Sequence, residues 1–415
     1  MDAPLGILAF MRKESEMAII LRDAKIINGK GDAPYKGFVV IDGSRLEKVE
    51  RGSGPAKKKG DETIDLDGRT LLPGIIDCHV HLCLDGGADP TTVLLNDPDP
   101  LVTLKAARHA YVTLLAGVTT VRDLGDKNHV SLSLRNAVAS GITAGPRIAS
   151  SGQLICMTGG QGWNFGREAD GPDEMRKAVR EQLRAGTDFI KLMATGGVMT
   201  PGVEAGAPQL TYEELKAGVE EAHKGGRKAA SHATGLEGVK NSLKAGMDTI
   251  EHGIAIDDET INLFLENKAA LVPTLCAPFH ILEKGAKSGI PDFVIKKTEK
   301  VKKIHLDSAK KAFQAGVTIA MGTDAGTPFN RHGENLKELE LLTQLGFTSM
   351  EAIVAATRIA AEVLGLEAQI GTLEDGKMAD LIIVEGDPLR DIALLQKQER
   401  IVAVMKEGKF YKKTF

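Results

Sequence analysis

Between Pro73 and about Leu366 the chain repeats one rhythm eight times, a short apolar run followed by a longer amphipathic stretch, and few folds accept that rhythm. The runs are Gly74–His79, Val118–Asp123, Arg147–Leu154, Phe189–Met193, Lys228–His232, Thr249–His252, Ala270–Leu275 and Thr318–Asp324. Amphipathic segments separate most of them, as in Asp173–Ala185, Tyr212–Lys224 and Lys300–Ala315. Thr211 with Glu214 has the spacing of a capping box ahead of one such helix. Eight strand–helix units over this length predict an α/β fold, a (β/α)8 TIM barrel, rather than an open doubly wound sheet. A dinucleotide-binding sheet would need GxGxxG after its first strand, and none is present.

The two ends have a different texture. From Ala18 to about Arg69 the runs are short, β-branched and broken by Asp42-Gly43 and Asp67-Gly68, pairs that favour tight hairpin-type turns. Ala379–Val384, Ile401–Met405 and Gly408–Tyr411 repeat that texture near the other end. The expected organisation is therefore a small β-sandwich domain assembled from residues 17–72 plus 369–415, with a catalytic barrel over residues 73–368. Residues 1–16 are expected to be a flexible extension. Their apolar run Leu5–Met11 lacks a basic leader, carries Asp2 instead, and is followed by no small-residue cleavage site.

Composition narrows the function classes. Of 415 residues, 42% are hydrophobic and 26% charged, enough apolar content for a sizeable core. A net charge of −4, with both signs interleaved, argues against a nucleic-acid surface. No stretch reaches the roughly 18 to 20 apolar residues of a membrane helix. Cys78, Cys83, Cys156 and Cys276 form no CxxC pair and read as reduced thiols of a cytoplasmic protein. The expected partner is a small molecule, with no nucleic acid or membrane, and a homo-oligomer remains compatible.

Chemistry-bearing side chains fall at the strand ends. His79 and His81 close the first run, Lys191 lies inside the fourth, His232 and His252 close the fifth and sixth, and Asp324 closes the eighth. In a barrel these ends converge on one face. Strand alternation puts His79 and His81 on the same side, so both imidazoles can reach one metal. Each has a plainer account alone, since a lone strand-end histidine is usually a hydrogen-bonded core residue and a lone lysine snorkels or pairs. Ligand types on five strands in the order HxH, Lys, His, His, Asp are poorly explained by chance.

These residues make the chain resemble the amidohydrolase superfamily, within it the imidazolonepropionase-like and prolidase-like (Xaa-Pro dipeptidase) branch. The resemblance rests on LPGIIDCHVH (72–81), DFIKLMATGG (188–197), ASHATG (230–235), TIEHG (249–253), MGTDAGTP (321–328) and GTLEDGKMADLIIVEGDPL (371–389). It implies a barrel inserted into a β-sandwich and two divalent metal ions, zinc first, although the donors also accept manganese, cobalt or iron. His79 and His81 would hold one metal with Asp324, and His232 and His252 the other. Lys191, carboxylated by CO2, would bridge them, because an ammonium cannot ligate a metal while a carbamate can. The implied reaction is attack by a metal-bridging hydroxide, with Asp324 as general base and then general acid. Cys78 and Ser231 neighbour ligands in sequence but should point away.

Substrate contacts are expected from the loops. The glycine-rich MTGGQGWNFG (157–166) carries Gln161 where many relatives have histidine, and Thr234 stands where some have an aromatic or histidine. Arg167, Arg331 and His332 are candidates to pair with a substrate carboxylate. His109, His129, His223, His280 and His305 read as surface or structural. The stretches Leu84–Pro100 and Glu283–Lys303 are each long enough to act as a lid, and equally fit solvated excursions. The first expectation is a dipeptidase or carboxypeptidase-like hydrolase of a small amide with a C-terminal carboxylate. Its rivals are a hydrolase of a cyclic amide, carbamate or ochratoxin-type aryl amide, and a non-enzymatic binding barrel. A cationic side chain at carboxylate distance from the scissile site discriminates the first two.

Overall fold

The computed structural model describes residues 18–415, so the extension expected over residues 1–16 lies outside the described residues. Five strands come first: β1 (Ile19–Ile26), β2 (Tyr35–Asp42), β3 (Arg45–Arg51), β4 (Glu62–Asp65) and β5 (Thr70–Pro73). The middle carries β6 (Ile75–Val80), β7 (Val118–Asp123), β8 (Arg147–Ser150), β9 (Ile155–Cys156), β10 (Arg167–Glu168), β11 (Phe189–Met193), β12 (Lys228–Ala233), β13 (Thr249–His252), β14 (Ala270–Val272) and β15 (Thr318–Ile319). The last three are β16 (Leu381–Val384), β17 (Ile401–Lys406) and β18 (Lys409–Lys413).

Strands from both ends of the chain share one eight-stranded sheet, ordered β18-β17-β16-β5-β1-β2-β3 with β4 beside β1. Its tight turns use the Asp-Gly pairs seen in the sequence. Asp67 and Gly68 both have positive φ, 48° and 75°, the backbone such a turn needs. Leu21, Ile26, Leu71, Leu381 and Met405 pack into one of its apolar clusters.

The middle of the chain forms two parallel sheets, β6-β7-β8 and β10-β9-β11-β12-β13-β14-β15. Every residue of β6, β7 and β11 is buried, as expected of parallel strands covered on both faces. The fold is thus mixed α/β built on parallel sheets. Backbone bonds also run between the two sheets. Asp188 N donates to Ser150 O at 2.8 Å, Cys78 N to Met321 O at 3.0 Å, and Val80 makes a parallel bridge with Ala325. Thr211 and Glu214 form the expected capping box on the helix Tyr212–Lys224, a device contributing about 1 kcal/mol.

Two expected strands are corrected. The run Arg147–Leu154 is not one strand: it breaks after Ser150, where Gly152 (φ 62°) turns the chain and its N–H donates to Ser150 Oγ. β15 covers only Thr318–Ile319, because Met321 N is diverted to Ala355 O instead of continuing the ladder. The stretch Glu283–Lys303, which the sequence leaves open between a lid and a solvated excursion, is largely helical, the end of Cys276–Lys284 and the start of Asp292–Gln314. Leu84–Pro100 likewise contains the helix Pro90–Asn96. Among the described residues no helix is long and apolar enough to cross a membrane.

Candidate metal centre

Alternation along β6 places Asp77, His79 and then His81 on one side, while Cys78 turns away, its Sγ toward Ala360 O. His79 Nε2 and His81 Nε2 lie 3.4 and 3.3 Å from the same oxygen, Asp324 Oδ1. Their other nitrogens are tied down. His79 Nδ1 meets Glu251 Oε2 at 2.8 Å, and His81 Nδ1 meets Gly125 O at 2.9 Å. Each Nδ1 faces an acceptor, so a cation held between the two Nε2 atoms and Asp324 would leave the proton on Nδ1 and take the Nε2 lone pairs. Asp77, beneath them, accepts from His79 N, Thr323 N, Thr323 Oγ1 and Asn335 Nδ2, and burial pushes its carboxyl up to about 6.

The second group arrives from the neighbouring sheet. Phe189, Lys191 and Met193 share the inner side of β11, and Lys191 is fully buried with no hydrogen-bond partner on Nζ. Burial lowers its pKa to about 8, which leaves a usable fraction of neutral amine near neutral pH. His232, one residue before the end of β12, also has Nε2 buried and unpartnered, while Ser231 turns outward to Ser242 Oγ at 2.8 Å. The ring of His252 stands 4.6 Å from that of His232 and 5.2 Å from that of His79. Burial lowers the pKa of His232 to about 3 and that of His79 and His252 well below the usual range, so all three are neutral donors. His79, His252 and Asp324 offer ligand atoms within 4.8 Å of one another, a group that can hold a metal ion.

Alternation alone would not deliver this set. On β13, Thr249 and Glu251 share the inner side, which should send His252 outward with Ile250. His252 instead has φ of 71°, and Asp324 and Thr274 have 61° and 52°. Left-handed backbone lets consecutive residues, Glu251 with His252 and Thr323 with Asp324, all face the site. For non-glycine residues such conformations cost about 1–3 kcal/mol each, so the surroundings must impose them.

A cavity of about 280 Å³ opens above these side chains. Its walls are mostly apolar and include Leu95, Trp163, Phe165, Met199, Ile281 and Phe293. Gln161 and Thr234 line it, with Gln161 Oε1 and Thr234 Oγ1 engaged by protein. Gln161 Oε1 accepts from Gly197 N and Thr200 Oγ1, and Thr234 Oγ1 donates to Gly196 O. Arg167, Arg331 and His332 do not line it. Arg167 pairs with Glu174 and Glu181, and His332 bonds Leu84 O and stacks on His109 at 4.6 Å. Lys191 is the one lysine or arginine among the lining residues. His305, expected to be structural, is buried, bonds His252 O and reaches the wall.

Sequence reasoning missed the supports beneath the site. Arg122 is wholly buried and donates to Cys78 O, Thr249 Oγ1 and Glu251 Oε1, fixing the carboxylate that orients His79. Adjacency to His252 was the only sequence signal for Glu251; Arg122 had none beyond being charged within an apolar run.

The amidohydrolase family model matches residues 70–411. Ochratoxinase of Aspergillus niger is 32% identical over 374 residues, covering 82% of this chain and 75% of that protein. Among solved structures, a Xaa-Pro dipeptidase with methionine bound in its active site superimposes with a TM-score of 0.88 at 36% identity, covering 95% of this chain and 100% of that one. A prolidase complexed with N-methylphosphonate-L-proline gives 0.89 at 29% identity over 96% and 100%.

Proposed function

The chain belongs to the amidohydrolase family and is a hydrolase of carbon–nitrogen bonds, and from that premise we propose that it cleaves the amide bond of a small substrate bearing a bulky apolar group. The observation that carries this reading is the cavity: ligand-type side chains at its floor, apolar walls above, and no lysine or arginine in its lining but Lys191. A carboxylate-bearing dipeptide would want a cation there, so the lining favours an aryl amide or similar apolar amide. The likeness to a Xaa-Pro dipeptidase supports a second reading, a dipeptide with an apolar side chain.

The donor set fits two divalent ions. Orphaned, buried Lys191 Nζ and His232 Nε2 and the neutral histidines are what a metal site needs. His79, His81 and Asp324 would hold one ion, His232 and His252 the other, and Lys191, carboxylated by CO2, would join them. Zinc suits these donors. Bound there, the ions would supply a Lewis acid for the scissile carbonyl and for the attacking water. Asp324 takes the water's proton and returns it to the departing nitrogen. Glu251 and Gly125 O keep His79 and His81 in the tautomer that leaves Nε2 unprotonated. The apolar walls exclude bulk water and seat the substrate's apolar group.

The same reading places the site at the mouth of a (β/α)8 barrel over residues 73–368, with residues 17–72 plus 369–415 as a β-sandwich domain. The bonds from β8 to the β11 edge and from β6 to Met321 and Ala325 support closure of the ring. Elemental analysis with turnover of N-acyl amides and dipeptides, before and after chelation, tests the proposal. About two zinc per chain and chelator-sensitive cleavage are expected; cleavage unaffected by complete metal removal would overturn it.

A further inference from the structure

We propose that Glu338 is a positioning residue for His252, acting through the turn at Thr274. Glu338 lies in the helix Lys337–Gln344, far along the chain from either residue, and is wholly buried. Its two carboxylate oxygens accept the successive backbone amides of Leu275 and Cys276, each at 2.8 Å. Those are the first two amides after Thr274, a β-branched residue held at φ 52°. A conformation so unfavourable for threonine persists only where neighbours impose it, and a two-oxygen clamp on the following peptides does so.

The clamp matters because of where it leaves the Thr274 hydroxyl. Thr274 Oγ1 donates to Pro273 O at 2.7 Å, which makes its lone pairs the acceptor for His252 Nδ1–H, also at 2.7 Å. The His252 proton is thereby fixed on Nδ1, and Nε2 faces the ligand cluster. If the Leu275 and Cys276 amides are released, Thr274 relaxes, its hydroxyl moves, and His252 loses both its tautomer and its aim. A histidine ligand's partner on the far nitrogen governs affinity in this way. Three residues before Glu338, Asn335 bonds Asp77, which holds Thr323 beside Asp324. One short stretch thus braces two of the three left-handed positions of the site, Thr274 and Asp324.

The inference rests on the metal reading above, and the test separates the two. Full-length holoenzyme is prepared as wild type, Glu338→Gln, Thr274→Val, Thr274→Ser and the Glu338→Gln/Thr274→Val pair. Zinc affinity is measured by chelator competition, alongside kcat and KM. Glu338→Gln sets an amide NH2 against a backbone N–H, and Thr274→Val removes the acceptor for His252. Each is expected to weaken zinc binding about 10- to 100-fold and to lower kcat more than it changes KM. Thr274→Ser, which keeps the hydroxyl, should stay near wild type, and the double variant should be no worse than the weaker single. Wild-type zinc affinity in Glu338→Gln, or losses that multiply in the pair, would overturn the inference while sparing the metal reading. Should Glu338→Gln not fold, Thr274→Val matching Thr274→Ser would overturn it equally. A wild-type chain that binds no zinc overturns both.

Discussion

At the β6 end of the site, both ring nitrogens of His79 and of His81 have an oxygen of the protein within 3.4 Å, whereas at the β11–β12 end Lys191 Nζ and His232 Nε2 are buried with no partner. The residue types are nearly the same, but the electrostatic situations are opposite. Glu251 and Gly125 O satisfy the Nδ1 atoms of the first half from within the fold, and Asp324 Oδ1 stands against both Nε2 atoms. The second half is complete only with a ligand, since an unpartnered buried polar atom costs about 1–3 kcal/mol. The first half is therefore an organised acceptor platform, and the second a set of donors awaiting something to bind.

The largest effect that would break this contrast comes from the residue both histidines share. Asp324→Asn should lower kcat by about 10³-fold with little change in thermal stability, read by steady-state kinetics and calorimetry. A variant retaining a tenth of the activity would remove Asp324 from proton transfer. Next, Lys191→Ala should reduce metal content from about two ions per chain to about one, seen by elemental analysis, because the proposed bridge between the two ions is lost. An unchanged content would place both ions outside Lys191.

Arg122→Met attacks the first half from below. It leaves Glu251 buried without its cation, a change expected to destabilise the fold by about 3–5 kcal/mol, measured by denaturant unfolding of metal-free protein. Stability within 1 kcal/mol of wild type would mean that the pair contributes little. The smallest effect concerns His332, stacked on His109 behind the loop that follows His81. Burial lowers its pKa to about 3, below the roughly 6.5 of an unfolded chain. The unfolded state then binds a proton that the native state refuses, so this contribution is present above pH 6.5 and lost as pH falls toward 3. His332→Asn should flatten the stability profile across that window by one proton; an unchanged slope would show that His332 charges in the fold.

Sequence and structure part where the chain departs from strand geometry. Alternation correctly put His79 with His81 and turned Cys78 and Ser231 away. It gives the wrong side for His252, which reaches the site because its backbone is left-handed. Arg167, Arg331 and His332 belonged to loops near the active face in sequence, yet none lines the cavity: Arg167 is drawn to Glu174 and Glu181, and His332 stacks on His109. Gln161 was legible as a loop amide but not as the acceptor that fastens Gly197 and Thr200.

What the sequence determined was periodic: apolar runs that must be buried on both faces, amphipathic helices between them, and ligand-type residues at run ends, since burial and side-chain alternation are local consequences of residue type. The tertiary structure decided everything that depends on two distant residues meeting. Arg122 with Glu251, Asn335 with Asp77, Glu338 with the Leu275 and Cys276 amides, and the apolar walls over Lys191 are contacts between segments tens to hundreds of residues apart. Their buried charges and strained turns are tolerable only in one another's presence, and no local pattern records that mutual dependence.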